Sequence, residues 1–130
     1  MNNKISGMRL FITIVDRHLG SKVVKLFEEA GCHYHQIIYG KGTAPSEIYE
    51  YLGFGEVEKE VVLSIASNEI VPFMIDALKI DMNFDQAGYG VACTIPLDSL
   101  AGKSVLDEIL RENKFTQNDM PAYTIKKEEK

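Results

Sequence analysis

Arginine is scarce in this chain: Arg9, Arg17 and Arg111 are the only three in 130 residues. Nucleic-acid binders gain affinity from clustered Lys and Arg on phosphates. Here fourteen basic residues stand against nineteen acidic ones, a net charge of −5. The stretch 41–60 is more acidic still, with Lys41 and Lys59 facing Glu47, Glu50, Glu56, Glu58 and Glu60. The composition argues against DNA or RNA as partner. Cysteine is also sparse: Cys32 and Cys93 lie 61 positions apart, in neither a metal nor a redox spacing. They read as buried free thiols of a reducing compartment, so a cytoplasmic protein is expected. Long apolar runs are missing. Leu10–Val15 and Val61–Ala66 are strand-sized, whereas a membrane helix needs about 20 apolar residues, so no membrane insertion is expected. Met1–Gly7 has one lysine and no apolar core, and no secretory leader is expected.

What is present is an ordinary globular mix, 45% hydrophobic and 25% charged, which reads as one domain over 1–130 with a core at about 8–100. Met8–Val15 alternates as a strand, with Leu10, Ile12 and Ile14 on one face and Phe11, Thr13 and Val15 on the other. Ser21–Ala30 shifts to helical period, with Val23, Leu26, Phe27 and Ala30 inward, Ser21 as N-cap and Gly31 as the terminating glycine. Cys32–Tyr39 is a second strand ending at a Gly40-Lys41-Gly42 turn. Thr43–Gly55 has no settled period and reads as a long loop, a kind that is usually functional or disordered. Glu56–Ala66 is the clearest strand: Val57, Lys59, Val61, Leu63 and Ile65 share one face, Glu58, Glu60, Val62, Ser64 and Ala66 the other. Ser67-Asn68 then caps a helix to about Lys79, striped by Ile70, Val71, Met74, Ala77 and Leu78. A turn-rich stretch precedes a strand at Val91–Pro96, and Lys103–Asn113 reads as a short helix before a loose polar end, Thr116–Lys130.

This order gives an α+β fold, the ferredoxin-like βαββαβ sandwich with a C-terminal helical extension over 103–130. Both crossover helices cover one face of the sheet. The opposite face is expected to carry Phe11, Thr13, Val15, His33, His35, Ile37 and Tyr39, too apolar to leave in water, so an oligomer is expected.

Few residues carry chemistry. Gly40-Lys41-Gly42-Thr43 offers glycines that let backbone amides approach an anion, beside a lysine and a hydroxyl. It lacks the spacer and order of a P-loop, and a plain strand-ending turn also needs glycine. Gly88-Tyr89-Gly90 offers a similar bend. His33 and His35 alternate and are candidate metal ligands, although hydrogen-bonded sheet histidines are the plainer reading. Tyr49, Tyr51 and Phe54 are candidate partner contacts in the loop. No acid, base or nucleophile converges, so an enzyme is not expected.

From Met8 to about Leu100 the chain resembles the P-II nitrogen-regulatory and P-II-like signalling proteins. The likeness lies in a helix closing on Glu28-Glu29-Ala30-Gly31, a strand ending Gly-Lys-Gly, and a long loop with Glu47-Ile48-Tyr49. The strand Lys59–Ile65, the helix Glu69–Leu78 and the Gly88-Tyr89-Gly90 bend complete it. The resemblance implies a homotrimer that binds an adenine nucleotide between subunits. It also implies a T-loop, here Gly42–Glu56, presented to a target enzyme, transporter or regulator, and a B-loop at Asn83–Gly90. The charged residues that neutralise a triphosphate in the family are replaced: the B-loop reads Gly88-Tyr89-Gly90-Val91, Thr43-Ala44 follows the T-loop glycine, and Pro96–Gly102 holds no arginine. With Lys41 as the one nearby positive charge, a monophosphate or cyclic nucleotide is expected over a triphosphate. The second reading is a trimeric metal-binding protein similar to the CutA-type divalent-cation tolerance proteins, supported by His33 and His35.

Overall fold

Strand alternation builds β1 (Met8–Asp16), β2 (Tyr34–Gly42), β3 (Val57–Ser67) and β4 (Val91–Pro96). The structure, a computed structural model, describes residues 6–42 and 57–118. All strand pairs are antiparallel, in the order β2-β3-β1-β4. Two crossover helices, α1 (Gly20–Glu29) and α2 (Val71–Met82), complete the βαββαβ arrangement, and α3 (Lys103–Asn118) follows β4.

The helix ends show why the chain folds locally as it does. Gly31, at φ 101°, takes the left-handed conformation after α1. Its amide donates to the Glu28 carbonyl at 3.1 Å and that of Cys32 to the Phe27 carbonyl at 2.9 Å, the paired bonds of a Schellman stop. Asn83 ends α2 in the left-handed conformation as well, at φ 57°, with its amide on the Leu78 carbonyl. The N-termini differ from expectation. α1 begins one residue before Ser21, and neither Leu19 nor Ile70, the N-cap residues, makes a side-chain cap bond. Neither Ser21 nor Ser67-Asn68 fills the expected role. Pro72 sits in the first turn of α2, where its missing N–H costs no helical bond.

The core lies between the sheet and the two crossover helices. Phe11, Val15, Val62 and Ala66 meet Val23, Phe27 and Ala30 of the α1 segment and Val71, Met74 and Leu78 of α2. The Phe11 and Phe27 rings meet edge-on at 5.0 Å. Phe11, Thr13 and Val15 therefore lie beneath the helices, together with His35, and not on the open face expected from the sequence. Ile37 and Tyr39 share that side of the sheet by register but remain exposed at its edge, and His33 precedes β2. Both faces of β1 are apolar, so its alternation cannot choose between them. The choice is made on β3: Glu60 and Ser64 on the helix side find partners in the β1–α1 turn and in His35.

The far face carries Leu10, Ile12, Ile14, Tyr34, Ile38, Val61, Leu63, Ile65, Val91, Cys93 and Ile95 by register. One end of it is covered: Val105, Leu106 and Ile109 of α3 pack with Met8, Leu10, Tyr34 and Ile65. The other end is open, and Ile38 and Val91 are exposed there, while Ile95, opposite Leu10 on the β4 edge, is exposed beside the covered end. Cys93 is an exposed free thiol on this uncovered strand, contrary to the expectation that both cysteines are buried, whereas Cys32 is buried. Helix α3 runs five residues past the expected Asn113, so Thr116–Asn118 are helical. The rest of the expected loose end, residues 119–130, lies outside the described residues.

Candidate functional site

The site is organised by the turn that leads from β1 into α1. Glu60 of β3 is only 5% exposed, and its carboxylate accepts the amides of His18 at 2.9 Å and Gly20 at 2.8 Å. It thus caps α1 from a neighbouring strand, replacing the side-chain cap the helix itself lacks, at the end where the helix dipole favours a negative charge. The His18 amide first, and then that of Gly20, hold the Glu60 pKa below the usual carboxylate value against the opposing effect of burial. Gly20 leaves room for this contact: a Cβ there would lie 2.5 Å from Glu60 Oε1.

Beyond Glu60 the β1–β3 pair ends in two cross-strand ion pairs. Lys59 Nζ meets Asp16 Oδ1 at 2.5 Å, and Arg17 is paired with Glu58. Next to them, Arg17, Tyr39, Gly40, Lys41, Glu58 and Lys59 line a cleft of about 310 Å³. Gly40 and Lys41 line this cleft, but not as the turn expected from the sequence. β2 continues through Gly42, and neither Gly40 nor Gly42 has positive φ. Gly40 instead leaves open space, since a Cβ there would meet nothing within 4 Å. Arg17 and Lys59 escaped the sequence reading, which counted Lys41 as the one nearby cation. They come from segments far apart in sequence, and only the β1–β3 register, Asp16 opposite Lys59, shows that they meet.

Gly88 and Gly90 lie at the start of β4, with φ of 90° and 156°. Gly90 is overlaid by Phe84, whose ring would meet a Cβ at 2.5 Å. Gly90 also lines a second cleft, about 260 Å³, with Ile75, Leu78, Lys79, Phe84, Val91 and Ala92. Tyr89 is exposed. The two glycine segments sit at the same end of the sheet, since Val91 is opposite Ile14 and Gly40 is opposite Lys59, itself opposite Asp16. They occupy opposite edges. Three strand spacings of about 4.8 Å separate them within one chain, so they do not meet there. Thr43, Tyr49, Tyr51 and Phe54 lie outside the described residues.

His33 and His35 are both held by hydrogen bonds. His35, with 6% of its side chain exposed, has Nδ1 2.8 Å from Ser64 Oγ and Nε2 2.8 Å from the Cys32 carbonyl. A neutral ring donating from Nε2 and accepting the Ser64 hydroxyl at Nδ1 satisfies both. Burial pushes its pKa down, which favours that neutral form. His33 pairs with Glu28 at 2.7 Å. Among the described residues no three His, Cys, Asp or Glu side chains are placed to hold a metal.

No family model matches the sequence, and no curated protein matches it. Solved structures do match. A P-II-like signalling protein from Thermus thermophilus is 18% identical with a TM-score of 0.53, over 69% of this chain and 85% of that one. CPII, a nitrogen regulatory P-II-like protein from Thiomonas intermedia solved with ADP, AMP and acetate, is 13% identical with a TM-score of 0.57, over 76% and 92%. The periplasmic divalent-cation tolerance protein CutA from Archaeoglobus fulgidus is 14% identical with a TM-score of 0.59, over 81% and 97%. The likeness to P-II-like proteins expected from the sequence is thus present in three dimensions, and the chain has the ferredoxin-like fold that P-II-like signalling proteins and CutA share.

Proposed function

We propose that this protein is a P-II-like regulator, not an enzyme: a cytoplasmic homotrimer that binds a small effector, an adenine nucleotide, between subunits and presents the segment Gly42–Glu56 to a target enzyme, transporter or regulator in nitrogen or related metabolism. The observation that carries this reading is the placement of the two glycine segments. Gly40 of one and Gly90 of the other each line a cleft at the same end of the sheet but on opposite edges. A ring of subunits, each meeting the next through unlike surfaces, can join the β2 edge of one copy to the β4 edge of its neighbour. The Gly40–Thr43 and Gly88–Gly90 halves then make one site, in which glycines permit close backbone approach, Lys41 supplies charge and Tyr89 a stacking face. The open apolar end of the far face supports association of copies. CPII was solved with ADP and AMP, which favours nucleotides as the ligands to try first.

A thermal-shift screen of AMP, ADP, ATP, cyclic nucleotides and divalent cations tests the reading. A ligand that binds only the native state stabilises it by about 2.7 kcal/mol at a hundredfold excess over Kd. The expected result is a rise with AMP or a cyclic nucleotide that exceeds the rise with ATP. No rise with any nucleotide would overturn the effector reading. A rise with a divalent cation alone would favour the CutA-like alternative, whose expected ligand His35 has both ring nitrogens engaged.

A further inference from the structure

The cleft beside β2 has a charge balance opposite to that of the whole protein: Arg17, Lys41 and Lys59 line it against the single carboxylate of Glu58, in a chain of net charge −5. The cations are not equivalent. Lys59 is tied to Asp16, which is not part of the lining. Arg17 is tied to Glu58, which is, and both side chains of that pair are half-exposed, at 51% and 59%. Exposed ion pairs are worth little, so an incoming anion can exchange with Glu58 at small cost. A guanidinium presents five donors in a planar fork that matches phosphate oxygens as well as it matches a carboxylate. Tyr39, 76% exposed, lines the same cleft and offers an uncovered ring face.

We propose that Arg17 is the anion-binding residue of this cleft and Glu58 its built-in competitor, so that the site takes a planar ligand carrying a single phosphate group. This inference rests on the effector reading above and specifies its chemistry. A monophosphate replaces one carboxylate on Arg17 and lies near Lys41. A triphosphate brings further charge into a cleft where the displaced Glu58 still repels it. Glu58 thereby sets specificity by charge, and Arg17 supplies the contact.

Calorimetry with AMP, ATP, adenosine and inorganic phosphate on the wild type, Arg17→Gln and Glu58→Gln tests this. Expected are AMP binding weakened about tenfold or more in Arg17→Gln, the loss of one charge-assisted contact, and AMP binding tightened severalfold in Glu58→Gln. ATP should gain more than AMP from Glu58→Gln, and adenosine should respond to neither change. A folding defect cannot tighten binding, so Glu58→Gln keeps the test decisive if Arg17→Gln is unstable. Equal AMP affinity in all three proteins, or weaker AMP binding in Glu58→Gln, would overturn the proposal while leaving the effector reading standing. If AMP binds none of them while inorganic phosphate follows the predicted order, the Arg17–Glu58 exchange stands and the nucleotide reading falls. If neither AMP nor phosphate binds any of the three, the proposal is overturned.

Discussion

Glu60 and His35 are two buried groups whose protonation bears on the fold, and both favour neutral to alkaline pH. Glu60 is held below the usual carboxylate pKa by the His18 and Gly20 amides. Its contribution is complete above the unfolded pKa, near the ordinary 4.5, and is lost as pH falls through the lower folded value. His35 is held below its ordinary 6.5 by burial. Stability is therefore complete above that value and declines as pH falls toward the folded pKa. Denaturant melts across pH should show two acid-side declines, with His35→Gln removing the upper and Glu60→Gln the lower. Glu60→Gln should also cost about 1–2 kcal/mol at pH 7, because hydrogen bonds to a charged group are the stronger ones; a single decline in the wild type would refute the assignment. Thr13 shows the opposite case. Its hydroxyl is buried and finds no partner among the described residues, so Thr13→Val should stabilise by about 1 kcal/mol. A charge at Thr13, buried unpaired beneath the helices, should unfold the protein, as chemical denaturation would show.

At the scale of elements, most of the secondary structure was legible in the sequence. β4 falls at its expected bounds, Val91–Pro96. The apolar stripe of α2 is buried at Ile70, Val71, Met74, Ala77 and Leu78 as its spacing predicts. The face of the sheet was not legible, because β1 is apolar on both sides and β3 places its more polar set, Glu60, Val62, Ser64 and Ala66, under the helices. That inversion depends on partners 29 to 42 positions away, such as the Gly20 amide for Glu60 and His35 for Ser64. The candidate site was half legible. Gly40 and Lys41 could be picked out from their own stretch, whereas Arg17 and Lys59 reach the cleft only through strand register. Gly40 gives an element-level test, because a side chain there has open space. Gly40→Val should leave the melting temperature unchanged or raise it, β-branched residues being favoured in strands. It should also abolish effector binding by filling the cleft, measured by calorimetry; a melting temperature lowered by several degrees would show that Gly40 is required by the backbone instead.

For the whole molecule, the proposed assembly rests on the far face. Its covered end is sealed by α3 through Ile109, Val105 and Leu106, and beyond that end it presents Ile12, Leu63, Ile14 and Val91 by register. Sedimentation should give a particle near three times 14.6 kDa, and Leu63→Asp should reduce it to folded monomer, since a charge cannot be buried unpaired in an interface. The central claim is that the effector site is shared between copies, and subunit mixing tests it most directly. Gly40→Val damages one half of the site and Tyr89→Ala the other, so neither protein alone should bind AMP at a concentration that saturates the wild type. In randomly mixed rings from co-expression, about a quarter of the subunit junctions join two intact halves, and binding should return to about a quarter of the wild-type stoichiometry. Mixed assemblies that bind no more AMP than the separate variants would contradict the claim.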